Sequence, residues 1–176
     1  MSDVVDEFHG VMVPDPYRPL ENPDDSAVQK WVERENQITE EFVNTPAREY
    51  LRTRYAARQN FAKYGIPTKV GTGYVFTILD TINNQSILYR LDSLETIPKI
   101  ILDPNKMSSD GTIALGGRTF SPDGTLMAYT LSEKGSDWQF IRVRNLVTGQ
   151  DFPEHLQWVK FSEPAWVPDN SGFYYS

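Results

Sequence analysis

Covalent or acid–base catalysis needs a nucleophile and a base that the fold can bring together, and the only imidazoles in the 176 residues are His9 and His155. His9 sits in a proline-rich opening stretch. His155 falls near the end of the "DFPEHLQW" loop. Neither belongs to a recognisable acid/histidine/serine arrangement, and both read as surface or hydrogen-bonded residues. A strained Gly-x-Ser-x-Gly elbow, which would expose a serine nucleophile, is absent from the sequence. "GTGYVF" (71 to 76) has two of the glycines of a dinucleotide fingerprint but lacks the third, and no helical pattern follows it. The chain has no cysteine, which excludes disulfides, thiolate metal ligands and a cysteine nucleophile. Its carboxylates show neither calcium-loop nor zinc spacing, so no metal and no cofactor is expected. The residues of this stretch of chain therefore supply no catalytic group of their own, and binding chemistry is what is left to look for.

The elements that would carry such chemistry change character along the chain. Four prolines, Pro14, Pro16, Pro19 and Pro23, make residues 1 to 23 an extended arm. Ser26 with Gln29 three residues on suggests a capping box, and Val28, Trp31, Val32, Ile38 and Phe42 recur at helical spacing, predicting a helix from about Ser26 to Asn44. Thr45-Pro46 restarts a helix with Leu51, Tyr55 and Phe61 as its apolar line, closed by Gly65 and Pro67. After Gly71 the period falls to two. "GYVFTILD", the Asn83-Asn84 turn and "SILYRLDS" read as a hairpin; 100 to 102 and 112 to 115 read as short strands. "FSPDG" is then a turn and "TLMAYTL" a strand, followed by "QFIRVRNL".

"FSPDGTLMAYT" (120 to 130) is answered by "WVPDNSGFYYS" (166 to 176). Asp123 to Asp169 spans 46 residues and Leu88 to Ile141 spans 53, close to the ~40 to 50 residues of one four-stranded propeller blade. Short antiparallel units of this kind bury their faces by stacking on copies of themselves around an axis, and a ring takes about four to eight of them. Residues 73 to 176 hold about two. The fold class expected is mainly β with an N-terminal α-helical arm, an incomplete β-propeller, and the chain is expected to be the front portion of a longer protein.

Charge and hydropathy bound the partners. A formal charge of −7 with no basic stripe argues against nucleic acid. No apolar run approaches the ~18 residues of a membrane helix, and "MSDVVDEFHG" lacks the pattern of a secretion signal. A soluble, cytoplasmic protein is expected.

Several stretches together resemble the N-terminal part of the prolyl oligopeptidase family: "DPYRPLEN" (15 to 22), "WVERENQIT" (31 to 39), "NQSILYRLDSL" (84 to 94), "ILDPNKMSSDGTIALGG" (101 to 117), "FSPDGTLMAYTLSEKGSDW" (120 to 138) and "VKFSEPAWVPDNSGFYYS" (159 to 176). The resemblance implies a serine peptidase that cleaves short peptides after proline, with a seven-bladed propeller filtering access to an α/β-hydrolase domain that carries the nucleophile, acid and histidine. It implies that residues 1–72 pack on that hydrolase domain and that 73–176 are the first blades. Phe161, in "KFS", resembles a position lining an apolar substrate subsite, and Asp137, in "GSDW", resembles a rim residue facing the active site. The chain departs from the family pattern at Pro19 and at Glu163. A related oligopeptidase with basic-residue preference and a non-enzymatic binding propeller are the alternatives; the helical arm speaks against the latter, since a free-standing propeller has no use for two amphipathic helices.

Overall fold

The computed structural model describes residues 2–176, which divide into two units at Gln59/Asn60. In the first unit the proline-rich arm is not merely extended. Strands β1 (Val5–Phe8) and β2 (Val11–Pro14) form an antiparallel hairpin in which Val5 faces Pro14 and Phe8 faces Val11. The reason is the His9-Gly10 pair, both at positive φ (52° and 82°), a two-residue turn of the kind that suits strand twist. Arg18 closes the hairpin, donating from Nε to Asp15 Oδ2 at 2.7 Å and pairing with Asp6 through Nη2.

Helices α1 (Ser26–Val43) and α2 (Pro46–Gln59) follow. Asp25, not Ser26, caps α1: its backbone is extended and its carboxylate accepts from the Ala27 N–H at 2.7 Å. The Ser26/Gln29 capping box therefore does not form, because Ser26 is already the first helical residue. Thr45 caps α2 by accepting from the Arg48 N–H, with Pro46 at the first position. The helix stops at Gln59, so Phe61, Gly65 and Pro67 lie beyond it. Trp31, Val32, Ile38 and Phe42 on α1, and Tyr50, Leu51 and Tyr55 on α2, are exposed.

The second unit is built of antiparallel sheets. Strands β3 (Lys63–Tyr64), β4 (Thr68–Val70), β5 (Gly73–Leu79), β6 (Ile87–Leu91) and β7 (Lys99–Leu102) form sheet 1, with both β3 and β4 pairing with β5. β3 and β4 precede Gly71 and are two and three residues long, too short for a period of two to show in sequence. Strands β8 (Ile113–Phe120), β9 (Leu126–Glu133), β10 (Gln139–Asn145) and β11 (Leu156–Val159) form sheet 2 in chain order. β11 lies in what the sequence suggested was a loop. β12 (Ala165–Trp166) and β13 (Phe173–Tyr174) form a two-stranded hairpin.

The registers expose the repeat. Thr77 pairs with Leu88 in sheet 1, and Thr130 with Ile141, each 53 residues on, in sheet 2. Phe120 pairs with Met127, and Trp166 with Phe173, each 46 residues on. The third hairpin is thus the start of the next blade, and the sheets do not close into a ring.

Strand β9 holds the stack together because both its faces are buried. Met127, Tyr129 and Leu131 join Val70, Val75, Leu88 and Leu102 in the core between sheets 1 and 2. Between them in sequence, Ala128 faces the other way and packs with Ile141 and Val159, against which Trp166 and Phe173 of the third hairpin lie. A strand covered on both sides loses the polar alternation of a half-exposed one, which is why "LMAYTL" reads as a nearly continuous apolar run. Two arginines staple the first seam. Arg90 Nη1 of sheet 1 donates to Gly124 O of sheet 2 at 3.1 Å, and Arg144 Nη1 of sheet 2 donates to Ile101 O of sheet 1 at 2.6 Å. Arg144 is held in turn by a two-pronged pair with Asp151, at 2.7 and 2.8 Å.

The turns at one end of the blades also touch. Gly71 and Gly124, 53 residues apart and both at positive φ, meet so closely that a Cβ on Gly124 would lie 2.7 Å from the Gly71 nitrogen. Asn170, 46 residues further on, accepts from the Asp123 N–H at 3.2 Å through Oδ1.

Candidate functional site

Asp137 and Phe161 are 24 residues apart, and the pairing of β10 with β11 brings their loops together. Gln139 opposes Val159 at the open end of that pair, so the segment entering β10 and the segment leaving β11 run side by side. A register shift between Gln139 and Ile141 lets Trp158 take φ +64°, and Phe161 follows at φ +52°. Such left-handed geometry is costly for residues with a Cβ and concentrates where side chains must be aimed. Its outcome is a set of aromatic rings turned outward: Phe161 is 79% exposed and Trp158 75%, beside the half-exposed Trp138.

Lys160 joins these groups. Its ammonium lies 3.3 Å from Asp137 Oδ2, 5.3 Å from the centroid of the Phe161 ring and 5.5 Å from that of Trp138. Trp138 in turn meets Trp158 edge to face at 5.9 Å. A cation over an aromatic face is attracted by the ring quadrupole, so one side chain holds a carboxylate and two rings across both loops. Sequence reasoning passed over Lys160, since a lone lysine carries no signal until its neighbours are known. Trp138, half exposed, stands within the same cluster.

Glu163 is directed elsewhere. Its side chain lies over the backbone of Gly117, where a Cβ would come within 3.1 Å of Oε1. Burial pulls the neighbouring Arg118 guanidinium below its ordinary value, and the Glu163 charge pushes back. His155 packs edge to face on Phe140 at 4.4 Å, and His9 stands in the β1–β2 turn. Among the described residues no group of three or more His, Asp or Glu side chains could hold a metal, and no helix is long and apolar enough to cross a membrane.

A groove of about 770 Å³ runs along the seam of sheets 1 and 2, lined by Arg90, Lys99, Leu102, Asp123 and Arg144 among others. Its cations are already paired: Arg90 and Lys99 with Asp92, Lys106 with Asp103, and Arg144 with Asp151. Seam and groove belong to the fold, and the ring-and-charge cluster at the β10/β11 end is the candidate site.

The family profile described as "Prolyl oligopeptidase, N-terminal beta-propeller domain" matches residues 1–176. The prolyl endopeptidase of Elizabethkingia meningoseptica is 37% identical over 172 residues, covering 97% of this chain and 24% of that protein. A dual-function macrocyclase-peptidase of Galerina marginata is 29% identical over 201 residues, covering 99% of this chain and 27% of its own length. A solved prolyl endopeptidase structure superposes with a TM-score of 0.80 at 31% identity, over 99% of this chain and 26% of that one. Oligopeptidase B from Leishmania major shares the fold, with a TM-score of 0.73 at 18% identity over 94% of this chain and 24% of that one. The chain spans about a quarter of the length of the curated relatives it matches. With blade-sized sheets, the repeat in their registers and a profile match from end to end, the chain belongs to the prolyl oligopeptidase family, of which it forms N-terminal β-propeller sequence.

Proposed function

We propose that this chain is the opening part of a serine peptidase that hydrolyses short peptides after proline, in which the blades screen what reaches a catalytic α/β-hydrolase domain and lend side chains to the substrate cleft. The exposed Phe161 ring, aimed outward beside Asp137 at the end of sheet 2, is the observation that carries this reading. An apolar ring in a cleft contributes ~1.5 to 3 kcal/mol to a small peptide's affinity. Residues 1–72, with the exposed apolar side chains of α1 and α2, would pack on the hydrolase domain, and 73–176 would begin the propeller. The chemistry would be acyl transfer by a serine set in an oxyanion hole, all of it supplied by the hydrolase domain, and the cysteine-free composition suits the cytoplasm.

The test is made on the full-length polypeptide that carries these residues. It should turn over a fluorogenic peptide containing proline, and Phe161→Ala should raise KM about tenfold with kcat changed far less, as loss of a subsite ring demands. The 176-residue chain alone should turn over nothing. An unchanged KM in Phe161→Ala, or hydrolysis after basic residues in preference to proline, would overturn the assignment.

A further inference from the structure

We propose that Lys160 is a specificity-determining residue of this rim, which it keeps apolar in character by masking the Asp137 carboxylate and supporting the Phe161 ring. The inference rests on the assignment of Phe161 and Asp137 to the peptide cleft. Its basis is positional. Asp137 is 63% exposed at its side chain, and a bare carboxylate beside an outward-facing ring would attract basic side chains and repel acidic ones. Lys160 cancels that field at 3.3 Å. Because the same ammonium lies over Phe161 and Trp138, the pair cannot separate without giving up two ring contacts. These tie the lysine down more firmly than an isolated surface ion pair, which has only its partner to hold it. The arrangement presents a peptide with a neutral platform of rings, suited to apolar and uncharged residues on the N-terminal side of the scissile bond.

The experiment uses the full-length polypeptide and two proline-containing peptides that differ only in Glu or Lys two residues before the proline. The quantity read is the ratio of kcat/KM for the Lys peptide to that for the Glu peptide. Lys160→Met should raise the ratio about tenfold by exposing the carboxylate. Asp137→Asn should lower it, the double variant should return it to near the wild-type value, and Lys160→Arg should stay within about twofold. Lys160→Gln repeats the first arm should the methionine variant fold poorly. Equal loss on both peptides in Lys160→Met, or a shift that persists in the double variant, overturns the proposal while leaving the cleft assignment standing. If Phe161→Ala and Asp137→Asn both leave KM and the ratio unchanged, the cleft assignment itself fails and takes the proposal with it.

Discussion

Arg144 and Lys160 do the same mechanical job in two very different places. Each is a cation on sheet 2 or its loops that ties together groups far apart in sequence, and each is paired with an aspartate. Arg144 does so within the seam between sheets 1 and 2, its side chain 19% exposed and that of Asp151 22%. Lys160 does so at the rim, 38% exposed, with Asp137 at 63%. In the seam the guanidinium uses its planar fork: two N–H groups on Asp151 and a third on Ile101 O. At the rim a rounder ammonium is shared among a carboxylate and two rings, none of which demands a fixed direction. Water is the difference. Where it is excluded an unpaired group is expensive and the bridge bears on stability; where it has access the bridge contributes little to folding and is left to shape recognition.

The comparison can be broken in several places. The largest effect is expected at Gly124, where a methyl group would meet the Gly71 backbone and the residue would keep a left-handed φ of 71°: Gly124→Ala should lower unfolding free energy by about 3 kcal/mol in urea denaturation. Arg144→Met should cost about 2 to 3 kcal/mol, because it takes the guanidinium from the Ile101 carbonyl and leaves the Asp151 charge in the seam with only the Tyr129 hydroxyl beside it.

Acid sharpens the contrast. Burial alone would raise Asp151, but the hydrogen bonds and charge of Arg144 outweigh it and hold its carboxyl below the usual carboxylate range. A depressed folded-state pKa contributes stability that is complete above the unfolded value near 4 and is lost as pH falls through the folded one. The urea midpoint should therefore drop below about pH 4, and Asp151→Asn should flatten part of that slope. The remainder is shared among other carboxylates, among them Asp80, Asp110, Asp123 and Asp169, held low by the turn donors they accept from, and Asp15, Glu40, Glu49 and Asp92, held low by neighbouring cations. Tyr129, pushed up to about 12 by burial and by the Asp151 charge, should remain a phenol through the alkaline range in which exposed tyrosines ionise, visible by ultraviolet titration. The smallest effect on stability belongs to Lys160→Met, which should melt close to wild type while altering peptide preference.

How legible all this was differs element by element. α1 is clear because a 3.6-residue apolar period and a capping side chain are local facts, and the expected end at Asn44 lies one residue past Val43. Its cap stands at Asp25, one residue before the expected Ser26, since both are good caps and only backbone geometry at Asp25 chooses between them. The 53- and 46-residue spacings are readable because turns state them in Pro, Asp and Gly. β11 was hidden: Trp158 sits at positive φ inside it, which breaks the alternation that would have marked a strand.

By itself, then, the sequence determined the turns of the blades, the strands long enough to alternate, the two helices and each copy of the repeated turn, for each of these rests on residues within a few positions of one another. Only the tertiary structure decided which face of β9 meets which sheet, that Arg144 would reach Ile101 43 residues away, and that Lys160 would stand between Asp137 and Phe161. Those contacts depend on how successive sheets stack and twist, and stacking is governed by the summed burial of many side chains, which no single stretch of residues encodes.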